Sequence, residues 1–156
     1  GRVAYIYNAL FPDRKPGYDY TKLLPGDTSA VMWAGPVGFD RYPKIVDPAS
    51  GFVQNANNTP FLAAGPGSEM DPSAYSPYLG IELGMTNRGL RATELLAADT
   101  SITPQELLAI KMDMIYSKKS WVGAWMASFA ALDLKDAPEL AEAQKLLAIS
   151  LEGSVG

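Results

Sequence analysis

Apolar and polar residues follow different patterns in the two halves of the chain, and proline marks the change. Ten of the 12 prolines lie between Pro12 and Pro77. Because proline removes a backbone donor and is excluded from helix interiors, the first half is predicted to consist of strands and loops. The second half carries apolar residues at helical spacing. Strands followed by helices predict an α+β fold.

Three segments of the first half are predicted to be strands. Residues 3–10 form the strongest, because they are rich in β-branched and aromatic side chains. Their nearly continuous apolar character predicts that both faces of this strand are covered. Residues 30–33 and 51–55 are shorter candidates. Residues 64–77 contain small residues, prolines and acids, which predicts a long surface loop.

Four helices are predicted in the second half. Residues 90–98 form a short amphipathic segment. Thr103-Pro104-Gln105-Glu106 has the pattern of a capping box with proline at the first helical position, and the apolar stripe that follows extends to Ile115. Aromatic residues recur every four positions from 121 to 129 and predict a helix with an aromatic face. A second proline-containing start precedes the last helix, at 140–151.

These patterns divide the chain into a strand-rich part (residues 1–62), a loop (residues 63–85) and a helical part (residues 86–156). The length of 156 residues suits one domain.

Composition excludes several classes of chemistry. The chain has no histidine and no cysteine, so it holds no Ser-His-Asp or Cys-His system, no zinc site of the usual ligands and no disulfide. With 13 basic and 17 acidic side chains the net charge is −4, and no basic stripe predicts a nucleic-acid partner. No run of 18 apolar residues predicts a membrane-spanning helix.

The most unusual stretch is Asn55-Ala56-Asn57-Asn58, which follows a predicted strand and precedes Thr59-Pro60. One interpretation is a turn, because asparagine tolerates left-handed backbone and bonds its own main chain. The other is that a carboxamide here donates hydrogen bonds to a developing oxyanion. The pattern by itself leaves both interpretations open.

Charged residues offer weaker candidates. Arg88 and Arg91 open a predicted helix, where a cation opposes the helix dipole and therefore hints at a partner elsewhere. A solvated guanidinium is the alternative. For Asp113, pairing at the surface is the expected outcome.

Several segments, in this order, resemble the β-chain of the penicillin acylase family, which includes penicillin, cephalosporin and acyl-homoserine-lactone acylases. The resemblance runs from the start of the chain to about Lys118, and the asparagine block is its most specific part. The segments that carry it are residues 5–14, 42–60, 86–96 and 110–117.

The resemblance implies the αββα core of N-terminal-nucleophile hydrolases and their mechanism. A serine freed at a chain start by self-cleavage attacks an amide carbonyl, with its own α-amino group as the base. Neither histidine nor cysteine is needed. The position in the motif implies that Asn57 stabilises the oxyanion together with a backbone N–H, while Asn55 and Asn58 shape the turn. Arg88 matches an arginine that orients the nucleophile and the substrate.

Because the chain begins with Gly1, the resemblance implies a fragment of a longer acylase, inactive alone, whose nucleophile lies on an upstream segment. Its expected partners are a small acyl-amide substrate and the remaining segments of the acylase, in the bacterial periplasm or outside the cell. No cofactor is expected for the chemistry. A structural calcium ion is possible in the full-length protein, although the spacing around Asp71 completes no metal site.

Two alternatives to the acylase interpretation remain at this stage. One is a non-catalytic binding or assembly module that keeps the acylase layout. The other is an independent α+β structural domain in which the asparagines form only a turn.

Overall fold

The computed structural model of this protein describes residues 1–152, and the chain divides into two units. The first unit is Gly1–Gly84 and the second begins at Met85. Within the described residues, the first unit holds two short strands and the second holds four α-helices. This mixed composition is consistent with the predicted α+β class. The finer division at residues 62 and 85 stays a prediction.

The long first strand is reduced to three residues. Strand β1 (Ala4–Ile6) pairs antiparallel with β2 (Lys44–Val46), with Tyr5 opposite Ile45. The prediction that both faces are covered is wrong, since Ile6 is 45% exposed. A strand extends only as far as its partner, and the partner here is a short segment that the sequence pattern did not reveal.

The strand predicted at residues 30–33 is also wrong, because a side chain captures the backbone there. The hydroxyl of Thr28 accepts the N–H of Ala30 at 3.1 Å and begins the 3-10 turn Ser29–Val31. Such a local side-chain bond offers the backbone an alternative to a sheet ladder.

The strand predicted at residues 51–55 is wrong for a different reason. Only an isolated antiparallel bridge forms, between Val53 and Ala64. The bridge folds the start of the predicted surface loop inward, so that Ala64 and Ser68 are buried. The hydroxyl of Ser68 accepts a backbone N–H at 2.9 Å, which satisfies its buried oxygen.

The core of the first unit is small and aromatic. Phe11, Val37 and Leu79 are buried at its centre. The ring of Phe11 meets Tyr42 edge to face, with ring centroids 5.1 Å apart, a geometry that aromatic pairs prefer. The partly buried side chains around this centre are Tyr7, Tyr42, Tyr75 and Ile81.

All four predicted helices are confirmed, with shifted bounds. They are α1 (Asn87–Ala97), α2 (Pro104–Met112), α3 (Trp121–Ala130) and α4 (Ala141–Glu152). The capping box before α2 is present in both directions, between Thr103 and Glu106. The expectation that this helix reaches Ile115 is wrong: Asp113 is extended, with ψ 127°.

Helices α3 and α4 are joined through an amide. The side-chain NH2 of Gln144 donates to the carbonyls of Phe129 at 3.0 Å and Leu132 at 2.8 Å. These carbonyls lie at the end of α3, past its regular i→i−4 hydrogen bonds, and that of Phe129 also accepts the N–H of Leu132 at 3.1 Å. The predicted aromatic face is present, with Trp125 and Phe129 stacked at 5.8 Å, while Trp121 is 81% exposed.

No helix among residues 1–152 is long and apolar enough to cross a membrane.

Candidate active site

The asparagine block lies in a loop of the first unit that is fastened at its base. The N–H of Gln54 donates to the carbonyl of Ala63 at 2.7 Å, next to the Val53–Ala64 bridge. On the other side, the N–H of Thr59 donates to the carbonyl of Gly84 at 3.1 Å. Thr59 is only 2% exposed. Backbone hydrogen bonds therefore fix the chain on both sides of the loop.

Two of the asparagines hold the turn itself. The side-chain oxygen of Asn55 accepts the N–H of Asn57 at 3.2 Å, and that of Asn58 accepts the N–H of Ala56 at 2.9 Å. The NH2 of Asn58 donates to the carbonyl of Thr59 at 2.9 Å. Asn58 is buried, so these bonds also satisfy an amide removed from water. The prediction that Asn55 and Asn58 shape the turn is confirmed.

Asn57 has a different environment. Its φ is 56°, in the left-handed region that asparagine tolerates better than most residues. Its side chain is exposed. The carboxamide carries two N–H donors, the kind of group that stabilises an oxyanion. The turn interpretation of the asparagine block is confirmed by the bonds of Asn55 and Asn58, and the catalytic role of Asn57 stays a prediction.

The segment after the turn is rigid as well. Thr59 precedes the 3-10 turn Pro60–Leu62, and its hydroxyl accepts the N–H of Phe61 at 3.3 Å. Pro60 is the first residue of that turn, and its ring fixes φ there. Pro60 and Phe61 are buried. Hydrogen bonds and burial therefore hold the backbone from residue 58 to residue 61.

Arg88 is the second residue of helix α1 in the second unit, and it is exposed. The hydroxyl of Thr86 accepts the N–H of Gly89 at 3.1 Å and fixes the start of the helix. The helix dipole adds partial positive charge to that of the guanidinium. This end of α1 therefore favours an electron-rich group, while the role of Arg88 in orienting nucleophile and substrate stays a prediction.

Helix α1 is held to the segment after α2 by an ion pair. Arg91 binds both carboxylate oxygens of Asp113 at 2.9 Å, and the two side chains are 25% and 15% exposed. Bidentate pairing fixes direction as well as charge. The hydrogen bond from Arg91 holds the pKa of Asp113 below its usual range, and the same bond raises the pKa of Arg91. The side chain of Asp113 is therefore less exposed than expected for a residue of a surface ion pair.

A second attachment of α1 is centred on Ser117, which is 1% exposed. Its N–H donates to the side-chain oxygen of Asn87 at 2.8 Å, and its hydroxyl donates to Glu94 at 2.8 Å. The hydroxyl also accepts the N–H of Lys119 at 3.1 Å. Ser117 therefore joins the first and last turns of α1 to the start of α3.

Sequence reasoning did not single out this network, although the residues lie in two of the segments that carry the family resemblance. A polar residue repeated on one helix face, Asn87 and Glu94 two turns apart, was the available signal. It could not identify the partner, because the two attachments span 23 and 30 residues of chain.

The ion pair yields a pH-dependent prediction. Replacing Asp113 with asparagine is expected to lower the free energy of unfolding at pH 7 by about 1 kcal/mol. A hydrogen bond to a charged group ordinarily contributes slightly more than this, and the partial exposure of the pair lowers its contribution. The folded-state pKa of Asp113 is depressed. Its contribution is therefore present above the unfolded value near 3.9 and is lost as pH falls through the folded value. Urea unfolding at several pH values measures both effects.

The matched control for this prediction is Asp133→Asn, which alters an exposed pair with Lys135 in the same unit. That variant is expected to change stability by less than about 0.5 kcal/mol. If the difference between Asp113→Asn and the wild type stays constant from pH 7 to pH 3, the ion pair is not its source.

No group of three or more carboxylates able to hold a metal ion occurs among residues 1–152. The carboxylate of Asp71 accepts the N–H of Ser73 at 2.8 Å and its hydroxyl at 2.7 Å, and these bonds lower the pKa of Asp71. Asp71 therefore caps a turn, and the residues around it do not fit a calcium site. Calcium binding elsewhere in a longer protein stays a prediction.

Comparison with known proteins agrees with the resemblance carried by the asparagine block. Penicillin G acylase from Escherichia coli is 37% identical over 60 residues, which are 38% of this chain and 7% of that protein. The chain thus aligns with a small part of that relative. The model of the penicillin amidase family matches residues 1–149, nearly the whole chain. This chain therefore belongs to the penicillin amidase family.

Proposed function

We propose that this chain is the part of an acylase-type amide hydrolase that supplies the side chain for oxyanion stabilisation. The observation that carries the proposal is Asn57, which is exposed and left-handed in a turn whose backbone is bonded by Asn55 and Asn58. Membership of the penicillin amidase family supports amide hydrolysis as the reaction.

In the proposed reaction, a serine at a chain start on a preceding segment attacks the amide carbonyl carbon. Its α-amine, which ordinarily titrates near pH 8, takes the hydroxyl proton. The C–N bond then breaks, and the same proton passes to the leaving amine. Water hydrolyses the ester that remains and releases the acid. The scheme fits a chain that has neither histidine nor cysteine.

Asn57 acts in this scheme when the carbonyl oxygen becomes negative. Its NH2 and a backbone N–H outside the turn donate to that oxygen in both tetrahedral intermediates. A donor that is already oriented costs no reorganisation at the moment of reaction, and one such donor contributes about 3 kcal/mol. The bonds of Asn55 and Asn58 to the turn backbone supply that orientation at the level of the main chain.

Arg88 has the proposed role of orienting the nucleophile and the substrate carbonyl through charge. The ion pair of Arg91 and the bonds of Ser117 keep α1 in place, so contacts within the second unit set the position of Arg88. We further propose that β1 and β2 belong to the αββα core of an N-terminal-nucleophile hydrolase, located in the periplasm or outside the cell. The remaining segments of the acylase are its partners.

The test compares this 156-residue chain with the complete protein that contains it. The complete protein is expected to release amine from a neutral acyl amide and to carry, after rapid quenching, the mass of one acyl group on its N-terminal serine. The chain alone is expected to release none. If the complete protein binds the amide but neither releases amine nor becomes acylated, the chain belongs to a non-catalytic module and the proposal fails.

A further inference from the structure

The residue before Arg88 is bonded to a distant segment of the second unit, and the proposed mechanism gives that bond no part. The side-chain oxygen of Asn87 accepts the backbone N–H of Ser117 at 2.8 Å, across 30 residues of chain. Ser117 is 1% exposed. Its N–H is therefore removed from water, and loss of the acceptor would leave a buried donor unsatisfied. The bond lies directly beside Arg88 in the chain.

The first turn of a helix needs support of this kind. The first N–H groups of a helix have no intrahelical acceptor, so this end frays unless other groups hold it. In α1 the hydroxyl of Thr86 satisfies the N–H of Gly89 at 3.1 Å. That bond lies within the turn itself, whereas the Asn87–Ser117 bond connects the turn to another segment.

Ser117 also binds α1 two turns further on. Its hydroxyl donates to a carboxylate oxygen of Glu94 at 2.8 Å. Asn87 and Glu94 are seven residues apart, which places them on nearly the same face of the helix, with about 10 Å of its axis between them. A helix bonded at two such points cannot slide or rotate about its axis without breaking one of the bonds. The same two bonds therefore fix the direction in which Arg88 leaves the helix.

Ser117 is itself held from the side of α3. Its carbonyl accepts the hydroxyl of Ser120 at 2.7 Å and the N–H of Ser120 at 3.0 Å. Ser120 is 3% exposed, and its hydroxyl accepts the N–H of Gly123 at 3.0 Å. The N–H, the hydroxyl and the carbonyl of Ser117 thus all have partners. A buried residue bonded through each of these groups gives α1 a fixed point of attachment.

From these contacts we infer that Asn87 and Ser117 are positioning residues of the hydrolysis, which hold Arg88 where it orients the nucleophile and the substrate. The inference rests on the proposed function, because it takes the role of Arg88 from there. It adds two residues that act through Arg88 and not on the substrate. Such residues affect the rate because a displacement of about 1 Å at the site can lower it about 10²-fold.

The first test follows order at the start of α1 in this chain, by NMR relaxation of the backbone amides. In the wild type the amide of Arg88 is expected to have an order parameter of about 0.85, the value of rigid backbone. Asn87→Ala is expected to lower it below about 0.6, while the amide of Leu95 stays rigid because the Glu94–Ser117 bond remains. An unchanged order parameter at Arg88 overturns the inference.

The second test is a double-mutant cycle in the complete protein, with amide hydrolysis as the readout. Asn87→Ala is expected to lower kcat/KM about fivefold, less than the loss of about tenfold expected for Arg88→Ala. Because Asn87 acts by holding Arg88, the double variant is expected to lose only about tenfold. A loss of about fiftyfold, the product of the two single losses, would show that Asn87 acts independently and would overturn the inference.

The matched control is Gln144→Ala, which removes a side-chain amide of the same unit that bonds Phe129 and Leu132. It is expected to lower stability and to leave kcat/KM within about twofold, when each variant is assayed under conditions where it is fully folded. If Gln144→Ala lowers kcat/KM as much as Asn87→Ala does, general loosening of the second unit explains the loss and the inference is overturned.

These results also separate the inference from the proposed function. If Arg88→Ala leaves kcat/KM unchanged, the role proposed for Arg88 is wrong, and the inference that rests on it fails as well. If Arg88→Ala lowers kcat/KM while Asn87→Ala changes neither the order of Arg88 nor kcat/KM, only the inference is wrong.

Discussion

Replacing Asn57 with glycine is expected to lower kcat for amide hydrolysis by the complete protein about 10²–10³-fold, the range found when one oxyanion donor is removed. Glycine adopts the left-handed φ of 56° without strain, so the turn keeps its backbone while the carboxamide is lost. Because the donor acts on charge that develops during the reaction, kcat falls and KM changes little. Steady-state kinetics with a chromogenic acyl amide measure both constants.

Two further substitutions show which property of Asn57 matters. Asn57→Asp keeps the size and the tolerance for left-handed backbone but replaces the donors with a negative charge, so it is expected to reduce kcat at least as much as glycine. Asn57→Ala also removes the donor, and its Cβ adds about 1 kcal/mol of backbone strain. It is therefore expected to be less stable than Asn57→Gly at similar activity.

The control for these variants is Asn8→Gly, which removes an exposed asparagine of the same unit outside the turn and is expected to keep full activity. In the same assay Arg88→Ala is expected to lower kcat/KM about tenfold, since a charge-assisted hydrogen bond contributes about that much. If Asn57→Gly and Asn57→Asp both lower kcat less than about tenfold, the oxyanion assignment is wrong.

The asparagine turn shows what sequence could predict about this site. Its bonds reach only one or two residues along the chain, and side-chain chemistry at that range is set by residue type. The same holds for the capping box of Thr103 and Glu106, which places the start of α2 correctly. Such features can be predicted from a short segment of sequence, because both partners of each hydrogen bond lie within it.

The strand predictions were wrong because the formation of a strand depends on a partner that is distant in sequence. Residues 3–10 have high β propensity, yet only Ala4–Ile6 finds a partner, and that partner lies some 40 residues away in Lys44–Val46. Propensity describes a fit to a pleated surface and does not supply the surface. At residues 30–33 a nearer competitor, the hydroxyl of Thr28, decided the conformation.

The attachments of helix α1 were equally beyond prediction. Arg91 and Asp113 are separated by 22 residues, and the sequence, which hinted at a partner for Arg91 and predicted surface pairing for Asp113, could not match the two. Partial burial of both side chains, together with the bidentate geometry, is what makes the pair an anchor. The family resemblance named Arg88 by its place in a motif, without any knowledge of the contacts that hold the helix, and the role of Arg88 stays a prediction.

Replacing Gly123 with alanine is expected to have the second large effect, a loss of stability. Its sign is opposite to the usual effect of this change in a helix. In an ordinary helix the change stabilises by about 1 kcal/mol. At this position the added methyl group meets backbone, namely the carbonyl of Ser117 and the Cα of Lys118 at 2.9 Å. Backbone cannot rotate away as a side chain does, so the free energy of unfolding is expected to fall by about 2 kcal/mol. Urea denaturation of the chain measures it.

Gly26→Ala is the control, because a methyl group there meets no atom within 4 Å and the expected change is below about 0.5 kcal/mol. If Gly123→Ala proves more stable than the wild type, α3 does not approach the Ser117 carbonyl as described.

The effect of Gly123→Ala is expected to extend beyond α3. The carbonyl of Ser117 accepts the hydroxyl of Ser120 at 2.7 Å, while the N–H and hydroxyl of Ser117 hold α1. Any displacement of Ser117 therefore loosens the helix that carries Arg88, and in the complete protein Gly123→Ala should lower kcat/KM for amide hydrolysis even under conditions where the variant is fully folded.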